Sequence, residues 1–445
     1  LADGKIQQVQ HKALLPTYDV FDEYRYFEPA SEFNIVEYQG KKIALSICED
    51  IWNIGNENPL YTICPLDELQ GQNPDFILNL SASPFSYAQA DQRTAIVQAN
   101  VKRYGIPMFY VNHAGAQTEL LFDGGSLVAS PSGEIFDDLP YFEEAVRVYD
   151  LDAVTNGGQH NIQDRNKMQL IHDGLVMGVR GYFGKLGFKK AILGLSGGID
   201  SALTAVLACR ALGAKNVHAL LMPSQFSSDH SVDDAKQLAE NLGMSYDVIA
   251  IKNIYDGFMS ELKPHFKGLP FNITEENLQA RSRGVLLMAF SNKFGNILLN
   301  TSNKSEMAVG YGTLYGDMCG GLSVIGDVYK TEVFELCRFI NKDEEVIPEN
   351  TITKPPSAEL RPNQKDSDSL PDYDILDDIL FQYIEKRQGP QDLIEMGYDE
   401  KLVRRILRLV NINEFKRHQT APVLRVSPKA FGMGRRMPIV GKYLS

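Results

Sequence analysis

Cysteine is scarce and scattered in this chain. The five cysteines, Cys48, Cys64, Cys209, Cys319 and Cys337, form no CxxC pair, which argues against a zinc ribbon or a dithiol redox motif. An odd, dispersed set points to a reducing compartment, hence the cytoplasm. Excess positive charge is also missing. The 44 Lys and Arg are outnumbered by 57 Asp and Glu, for a net charge of −13, the wrong sign for a nucleic-acid binder. Phosphates can still be held locally by backbone N–H groups, magnesium and a few cations. No apolar run approaches the roughly 20 residues of a membrane span. No signal peptide, internal repeat or low-complexity tract is visible. The first residue is Leu1 and not Met, so the natural start is expected upstream.

What is present is ample for folding. With 445 residues, 44% of them hydrophobic, the chain can build two or three cored domains. The first third alternates short strands with a helix: KKIALSIC (41–48), DFILNLSAS (75–83), a helix over 88–105, and PMFYVNHA (107–114). This pattern predicts an α/β domain closing with VRVYDLD (146–152). The Gly-Gly and amide-rich stretch at 154–166 reads as a linker. A helix from about Lys167 to Gly187 leads into the strand KKAILGL (189–195). The helix 201–213, the strand 216–222 and the helix 232–243 then follow, a doubly wound arrangement. From Tyr373 onward the chain reads as mostly helical and turns basic: residues 401–445 carry eleven Lys or Arg and one acid, Glu414.

The string Gly194-Leu195-Ser196-Gly197-Gly198-Ile199-Asp200-Ser201 sits where that strand gives way to a helix. Gly197 and Gly198 permit backbone angles closed to other residues and let a ligand approach the main chain. The helix start offers N–H groups and a positive dipole end to an anion. Ser196 and Ser201 add hydroxyls. Asp200 would repel bare phosphate, so it implies a bridging magnesium. The loop is neither a Walker A nor a dinucleotide GxGxxG pattern. A tight turn in which Asp200 or Ser201 caps the helix is the bland alternative.

SGGIDS resembles the signature of the ATP pyrophosphatase group, which splits ATP into AMP and pyrophosphate. The segments at 272–284, 298–321 and 328–333, with 222–231, 355–371 and 415–419, are similar to NAD synthetases. That resemblance spans essentially the whole chain and implies adenylation of the nicotinate carboxylate of deamido-NAD, followed by amidation. By it, Asn277, Glu306 and Lys416 match deamido-NAD positions and Thr301 an ATP position. Asp200 and Glu306 are the magnesium candidates and Lys330 a phosphate contact. Read without the family, Asn277 is helix-face polarity, Thr301 a strand-end hydroxyl and Lys416 part of a solvated basic face. The segment 355–369 suits a lid that excludes water from an acyl-adenylate.

Cys48 ends the strand in IALSICEDIW (43–52). A lone Cys is more often a small buried hydrophobe than a nucleophile. Together with KALLPTYDVFDEYRYF (12–27) and NLSASPF (79–85), however, it resembles the nitrilase-type amidohydrolases. The resemblance makes Cys48 the nucleophile and Lys12 the catalytic lysine. Tyr18 and Ser83 match glutamine-binding positions, and so does Gln89, where the family usually has Lys or Arg. The family's general-base Glu lies well upstream of the lysine, and nothing here matches it. Glu23 and Glu49 read as structural. Roughly a hundred residues of a usual domain are therefore expected to precede Leu1.

The expected fold is a truncated nitrilase-like α-β-β-α sandwich (1–153), a linker (154–170) and a doubly wound, adenine nucleotide alpha hydrolase-like domain (171–445). The expected small-molecule partners are ATP, deamido-NAD and glutamine, with Mg2+ as cofactor. A homo-oligomer, at least a dimer, and an ammonia tunnel are implied by the resemblance. Two alternatives stand beside this reading. Other amidotransferases sharing the loop have glutaminase domains of different types, and a non-enzymatic sensor would not need Cys48, Lys12 and the loop intact.

Overall fold

The computed structural model describes residues 4–158, 161–163, 165–362 and 364–441. Its contacts divide the chain into one unit of residues 1–116 and 120–166 and a second of 117–119 and 167–445.

The first unit is built on a six-stranded sheet. Its strands are β1 (Val36–Tyr38), β2 (Lys41–Ile47), β3 (Phe76–Ser81), β4 (Met108–Asn112), β7 (Leu127–Ala129) and β8 (Ile135–Asp138), in the order β1-β2-β3-β4-β7-β8. β2, β3 and β4 run parallel; the remaining pairs are antiparallel. β5 (Ala114–Gln117) and β6 (Leu120–Asp123) form a separate hairpin. Helices α1 (Pro65–Gln70) and α2 (Gln89–Tyr104) supply the crossovers that parallel strands require. Ala44, Ile77, Met108 and Tyr110 from the sheet pack against Leu66, Leu69, Val97 and Val101 from the helices, all nearly solvent-free. α2 stops at Gly105, which takes φ +68 and accommodates the left-handed C-cap.

The segment expected to be a linker is largely part of this unit. α3 (Leu151–Asn156) starts on an Asp150 cap and buries Val154 completely. Asn161 bridges to Asp137, and Arg165 pairs with Asp138 at 2.9 Å. Gly-Gly at 157–158 therefore ends a short helix and does not begin a free tether. Of the predicted linker residues, Gln159, His160 and Asp164 lie outside the described residues, as do Asn363 of the predicted lid and Lys442 of the basic tail.

The second unit begins with α4 (Lys167–Leu186) and contains a fully parallel sheet, β11-β10-β9-β12-β13. The strands are β9 (Ala191–Gly194), β10 (Val217–Leu221), β11 (Ser245–Val248), β12 (Ile297–Asn300) and β13 (Leu322–Ser323). Chain order departs from strand order at β9, between β10 and β12. Ligands of open parallel sheets bind at such switch points, beyond the carboxyl ends of the strands. Ala191, Ile192 and Leu193 of β9 are completely buried, as expected for a strand covered on both faces.

Helices α5 (Ile199–Leu212), α6 (Asp229–Leu242), α7 (Lys252–Phe266), α8 (Ile273–Phe294), α9 (Lys304–Val309), α10 (Lys330–Ile340) and α11 (Glu349–Thr353) follow the strands. α8 opens with a capping box between Asn272 and Glu275, and α9 with one between Asn303 and Glu306. Each box satisfies N–H groups that a helix start leaves unpaired. α12 (Tyr373–Ile384), α13 (Pro390–Glu395), α14 (Glu400–Ile412) and α15 (Glu414–Arg417) form a helical layer. Leu376, Ile379, Val403, Ile406 and Leu407 of that layer pack on Met307 and Val309 of α9. The expected helical tail ends there. Residues 418–441 carry no helix, and Leu424 and Val426 are nevertheless fully buried. The reason is a buried ionic anchor: Asp327 accepts the N–H groups of Val426 and Ser427 at 2.8 and 2.7 Å, and Lys304 pairs with Asp327 at 2.9 Å.

Candidate active sites

In the first unit, Cys48 follows the last residue of β2 and takes φ +46. A non-glycine residue in that region is uncommon and marks a place where the chain turns sharply to present a side chain. Burial pushes the Cys48 thiol pKa up, and nearby Lys12 pulls it back down. The Ala82 N–H and the Ser81 hydroxyl, at the end of β3, also lower it by hydrogen bonding.

Lys12 lies in an extended segment without regular structure, its side chain 13% exposed. Its Nζ donates to both carboxylate oxygens of Glu23, at 2.7 and 2.6 Å. Glu23, expected to be structural, is thus the direct partner of Lys12. Eleven residues separate the two, and no periodic pattern in the sequence signals the contact. Glu49, next to Cys48, is buried and accepts hydroxyl protons from Tyr18 and Tyr61, each at 2.7 Å. Ser83 is held by its own N–H, which donates to Asn112 Oδ1 at 2.9 Å. Asn112 in turn donates to Asp123, whose ion pair with Arg93 is completely buried. Gln89 opens α2, with its N–H on the Ser86 carbonyl.

In the second unit a cavity of about 1130 Å³ opens at the switch point. Its wall includes Gly194, Leu195, Ser196, Gly198, Ile199, Asp200 and Ser201 of the loop, with Asn277, Thr301, Glu306, Lys330 and Lys416. Gly197 is the one loop residue outside the lining. It has φ +80, and a Cβ there would lie 2.1 Å from the Ser231 carbonyl oxygen. Its role is close packing against the start of α6, where only a missing side chain fits.

The loop is internally braced. Ser201 Oγ donates to the Gly198 carbonyl at 2.9 Å, and the Gly198 N–H donates to Ser196 Oγ at 3.1 Å. No side chain caps α5, and its first residues, from Gly198 to Ser201, line the cavity, so its N-terminal dipole is presented there. Asp200 pairs with Lys330, whose side chain is 2% exposed, and accepts from Asn303 Nδ2 at 2.9 Å. Burial works against the Lys330 charge, but Asp200 and Glu306 outweigh it and raise its pKa. Burial, then the Asp200 charge, push Glu306 well above the usual carboxylate range. Glu306 also accepts from the Asn303 N–H at 3.2 Å, as the second half of the α9 capping box.

Other expected residues are committed to the protein itself. Asn277 Oδ1 accepts the Thr313 hydroxyl proton at 2.8 Å. Lys416 does not lie on a solvated basic face. Its Nζ donates to the carbonyls of Gly310 and Gly312, at 2.7 and 2.8 Å, inside the cavity wall. Thr301 follows β12 directly and lines the cavity.

Several cavity residues are not individually marked by the sequence, although Arg283, Glu359 and Asp366 fall in the segments singled out above. Arg283 donates Nε–H to the Met222 carbonyl at 3.0 Å, and burial lowers its pKa to about 10. Thr351 is buried with a hydroxyl that has no partner among the described residues. Asp366, in the expected lid segment, accepts hydroxyl protons from Tyr311 and Tyr373 at 3.2 and 2.9 Å. Glu359 of the same segment accepts from Ser228 and Ser231 at 3.0 and 2.8 Å.

Comparison with known proteins assigns both units. The carbon–nitrogen hydrolase family matches residues 2–158, and the NAD synthase family matches residues 171–420. A glutamine-dependent NAD(+) synthetase of Synechocystis sp. is 49% identical over 99% of this chain and 80% of its own length. The protein of that name from Acinetobacter baylyi is 45% identical over 99% and 80%. The structure of the glutamine-dependent NAD+ synthetase of Acinetobacter baumannii, in complex with ADP, superposes with a TM-score of 0.75. It is 42% identical and covers 99% of this chain and 80% of its own. A nitrilase-like hydrolase unit joined to a parallel-sheet synthase unit defines a carbon–nitrogen ligase that takes its nitrogen from glutamine. The chain belongs to the glutamine-dependent NAD(+) synthetases. Its activity is glutamine-hydrolysing NAD synthesis.

Proposed function

We propose that the two sites divide the reaction as follows. At the first, Cys48 Sγ attacks the glutamine carboxamide carbon, the thiol proton passes to the amide nitrogen, the C–N bond breaks, and nitrogen leaves as ammonia. Water then cleaves the glutamyl thioester to glutamate and restores the thiol. Lys12 stabilises the thiolate and the developing oxyanion, and Glu23 fixes the direction of its ammonium. Tyr18, Ser83 and Gln89 hold glutamine. The observation that carries this half is the position of Cys48: a left-handed residue at a strand end, close enough to Lys12 for the ammonium to favour its thiolate.

At the second site, the nicotinate carboxylate of deamido-NAD attacks the α-phosphorus of ATP. Pyrophosphate leaves, and ammonia displaces AMP from the acyl-adenylate to give the amide. Residues 194–201, with Thr301, surround the triphosphate, while Asn277, Glu306 and Lys416 face the dinucleotide. Supporting this half is the cavity at the sheet's switch point, which gathers the loop, Lys330 and Lys416 in one wall. Residues 355–369 act as the lid; most of the segment's described residues, Glu359 and Asp366 among them, line the cavity.

Asp200 and Glu306 fit a magnesium ion. Mg2+ is commonly held by one or two carboxylates plus substrate phosphates; both carboxylates line the cavity, and burial first, then the Asp200 charge, push the Glu306 pKa up. A bound cation relieves that repulsion. When bound, the ion would neutralise charge developing on the leaving pyrophosphate. Removal of divalent cations with EDTA should stop NAD formation from glutamine and from ammonium alike, and added Mg2+ should restore both. Activity unaffected by chelation would exclude the ion.

Two further properties belong to this reading. The five cysteines are free thiols, which supports a cytoplasmic setting, testable by cell fractionation. Among the described residues, no helix is long and apolar enough to cross a membrane. Val285 and Met288, three positions apart on one face of α8, are 64% and 40% exposed, an apolar pair that supports a homo-oligomer. Light scattering on the purified protein decides that point.

A further inference from the structure

Asp50 touches neither glutamine-site residue, yet its carboxylate joins the segments that carry both. Its Oδ1 accepts the N–H groups of Ala13 and Leu14, at 3.0 and 2.8 Å. Its Oδ2 accepts the N–H of Ile47, at 3.0 Å. Ala13 is the residue after Lys12, and Ile47 the residue before Cys48. One buried side chain, 3% exposed, therefore spans the two backbones on which the ammonium and the sulfur are mounted.

The arrangement is demanding. Residues 13 and 14 belong to no helix or strand, so no ladder bonds fix their place. Charge-assisted bonds to an ionised carboxylate are stronger than neutral ones. Burial is the largest influence on Asp50 and opposes its charge. The three N–H groups and the nearby Lys12 ammonium favour the charge. The neighbouring tie, Tyr18 to Glu49, is set further along the chain from Lys12. A carboxylate that merely filled space would be replaced by an apolar residue at no loss.

We propose that Asp50 is a positioning residue for the Cys48–Lys12 pair, its three N–H bonds setting the separation of sulfur and ammonium. The proposal rests on the reading of Cys48 and Lys12 as nucleophile and catalytic cation. Asp50→Asn keeps the shape but replaces one oxygen by an NH2 group, which cannot accept. Either the Ala13 and Leu14 pair or Ile47 then loses its acceptor, and the Lys12 segment moves relative to the Cys48 turn.

The test compares wild type, Asp50→Asn, Asp50→Glu and Cys48→Ala, each assayed for NAD formation with glutamine and with ammonium. Asp50→Asn should lower kcat with glutamine by about a hundredfold, the effect of an ångström-scale misplacement, with little change in the glutamine KM. Ammonium-dependent activity should be unchanged. Alkylation of Cys48 by iodoacetamide should slow at neutral pH, and its pH profile should move up as the sulfur loses its cation. Asp50→Glu, which keeps the charge but displaces the acceptors, should fall between. Wild-type kcat and an unshifted alkylation profile in a folded Asp50→Asn protein would overturn the proposal. Hydrogen exchange on the wild type tests it without any variant: the Ala13 and Leu14 amides should be protected, and rapid exchange there contradicts it. Glutamine use by Cys48→Ala would instead overturn the underlying reading.

Discussion

Lys330 and Asp200 stand 130 positions apart in the chain and form an ion pair in the wall of the synthase cavity. Lys330 opens α10, and Asp200 lies in the first turn of α5. The pair thus ties the loop after β9 to a helix that begins far downstream. Asp200→Asn should remove NAD formation with either nitrogen donor. It also leaves the Lys330 ammonium buried with less compensation. Breaking a buried pair costs about 3–5 kcal/mol, and the lower end applies because the Asp200 side chain is 18% exposed. Urea denaturation read by circular dichroism measures the loss.

Gly197 separates packing from binding within the loop. A methyl group there would meet the Ser231 carbonyl oxygen at 2.1 Å in a backbone conformation with φ +80. Gly197→Ala should cost about 1–2 kcal/mol for the left-handed conformation alone, plus about 1–3 kcal/mol of overpacking. Because α6 must shift to admit the methyl, ATP affinity should fall as well. Calorimetric titration with ATP, beside a thermal melt, reads both effects. Wild-type affinity in the variant would show that the contact does not shape the loop.

Glu23 grips Lys12 through both carboxylate oxygens. Glu23→Gln keeps the shape and removes the charge. Glutamine-dependent NAD formation should fall by about ten- to a hundredfold as the ammonium loses its fixed direction. Ammonium-dependent formation should not change. Equal loss with both donors would mean that Glu23 acts on general stability.

Asp377 provides a pH test of the second unit. Burial pushes its pKa up from 3.8 to about 6, against the opposing bonds from Ser305 and Thr331. The folded protein therefore holds a proton that the unfolded chain has released between these values. The contribution to stability is fully present below about pH 3.8 and is lost as pH rises through about 6. Asp377→Asn should remove this dependence. The stability difference between wild type and variant, measured by urea titration from pH 4 to 7, should move against the wild type as pH rises. A difference independent of pH contradicts the shifted value.

The strands and helices of both units were legible because their signals are local. The apolar runs at 41–48, 75–83 and 189–195 form β2, β3 and β9, β2 shorter at its end and the other two at both ends. Gly105 and Gly243 mark the ends of α2 and α6 as left-handed caps. What escaped the sequence depends on distant partners. Val154 reads as linker because six residues are too few for a helical period to declare itself, and only its burial within the first unit shows the short helix. Without the family resemblance Lys416 reads as part of a solvated basic face, because charge runs usually are; Gly310 and Gly312 supply its acceptors from 106 and 104 positions away. Glu23 reads as structural since a single Glu near a Lys has no distinguishing pattern. Residues 418–441 follow no period at all, being held by Asp327 and Lys304 through buried charge.

The origin of the amide nitrogen tests the division of labour between the two sites most directly. The measurement is mass spectrometry of NAD formed from ATP, deamido-NAD and glutamine labelled with 15N at its amide, by wild type and by Cys48→Ala. The label is predicted in the carboxamide of NAD made by the wild type. Cys48→Ala is predicted to form none from glutamine while still amidating from ammonium. Labelled NAD from Cys48→Ala, or no NAD from the wild type with either donor, would contradict the account.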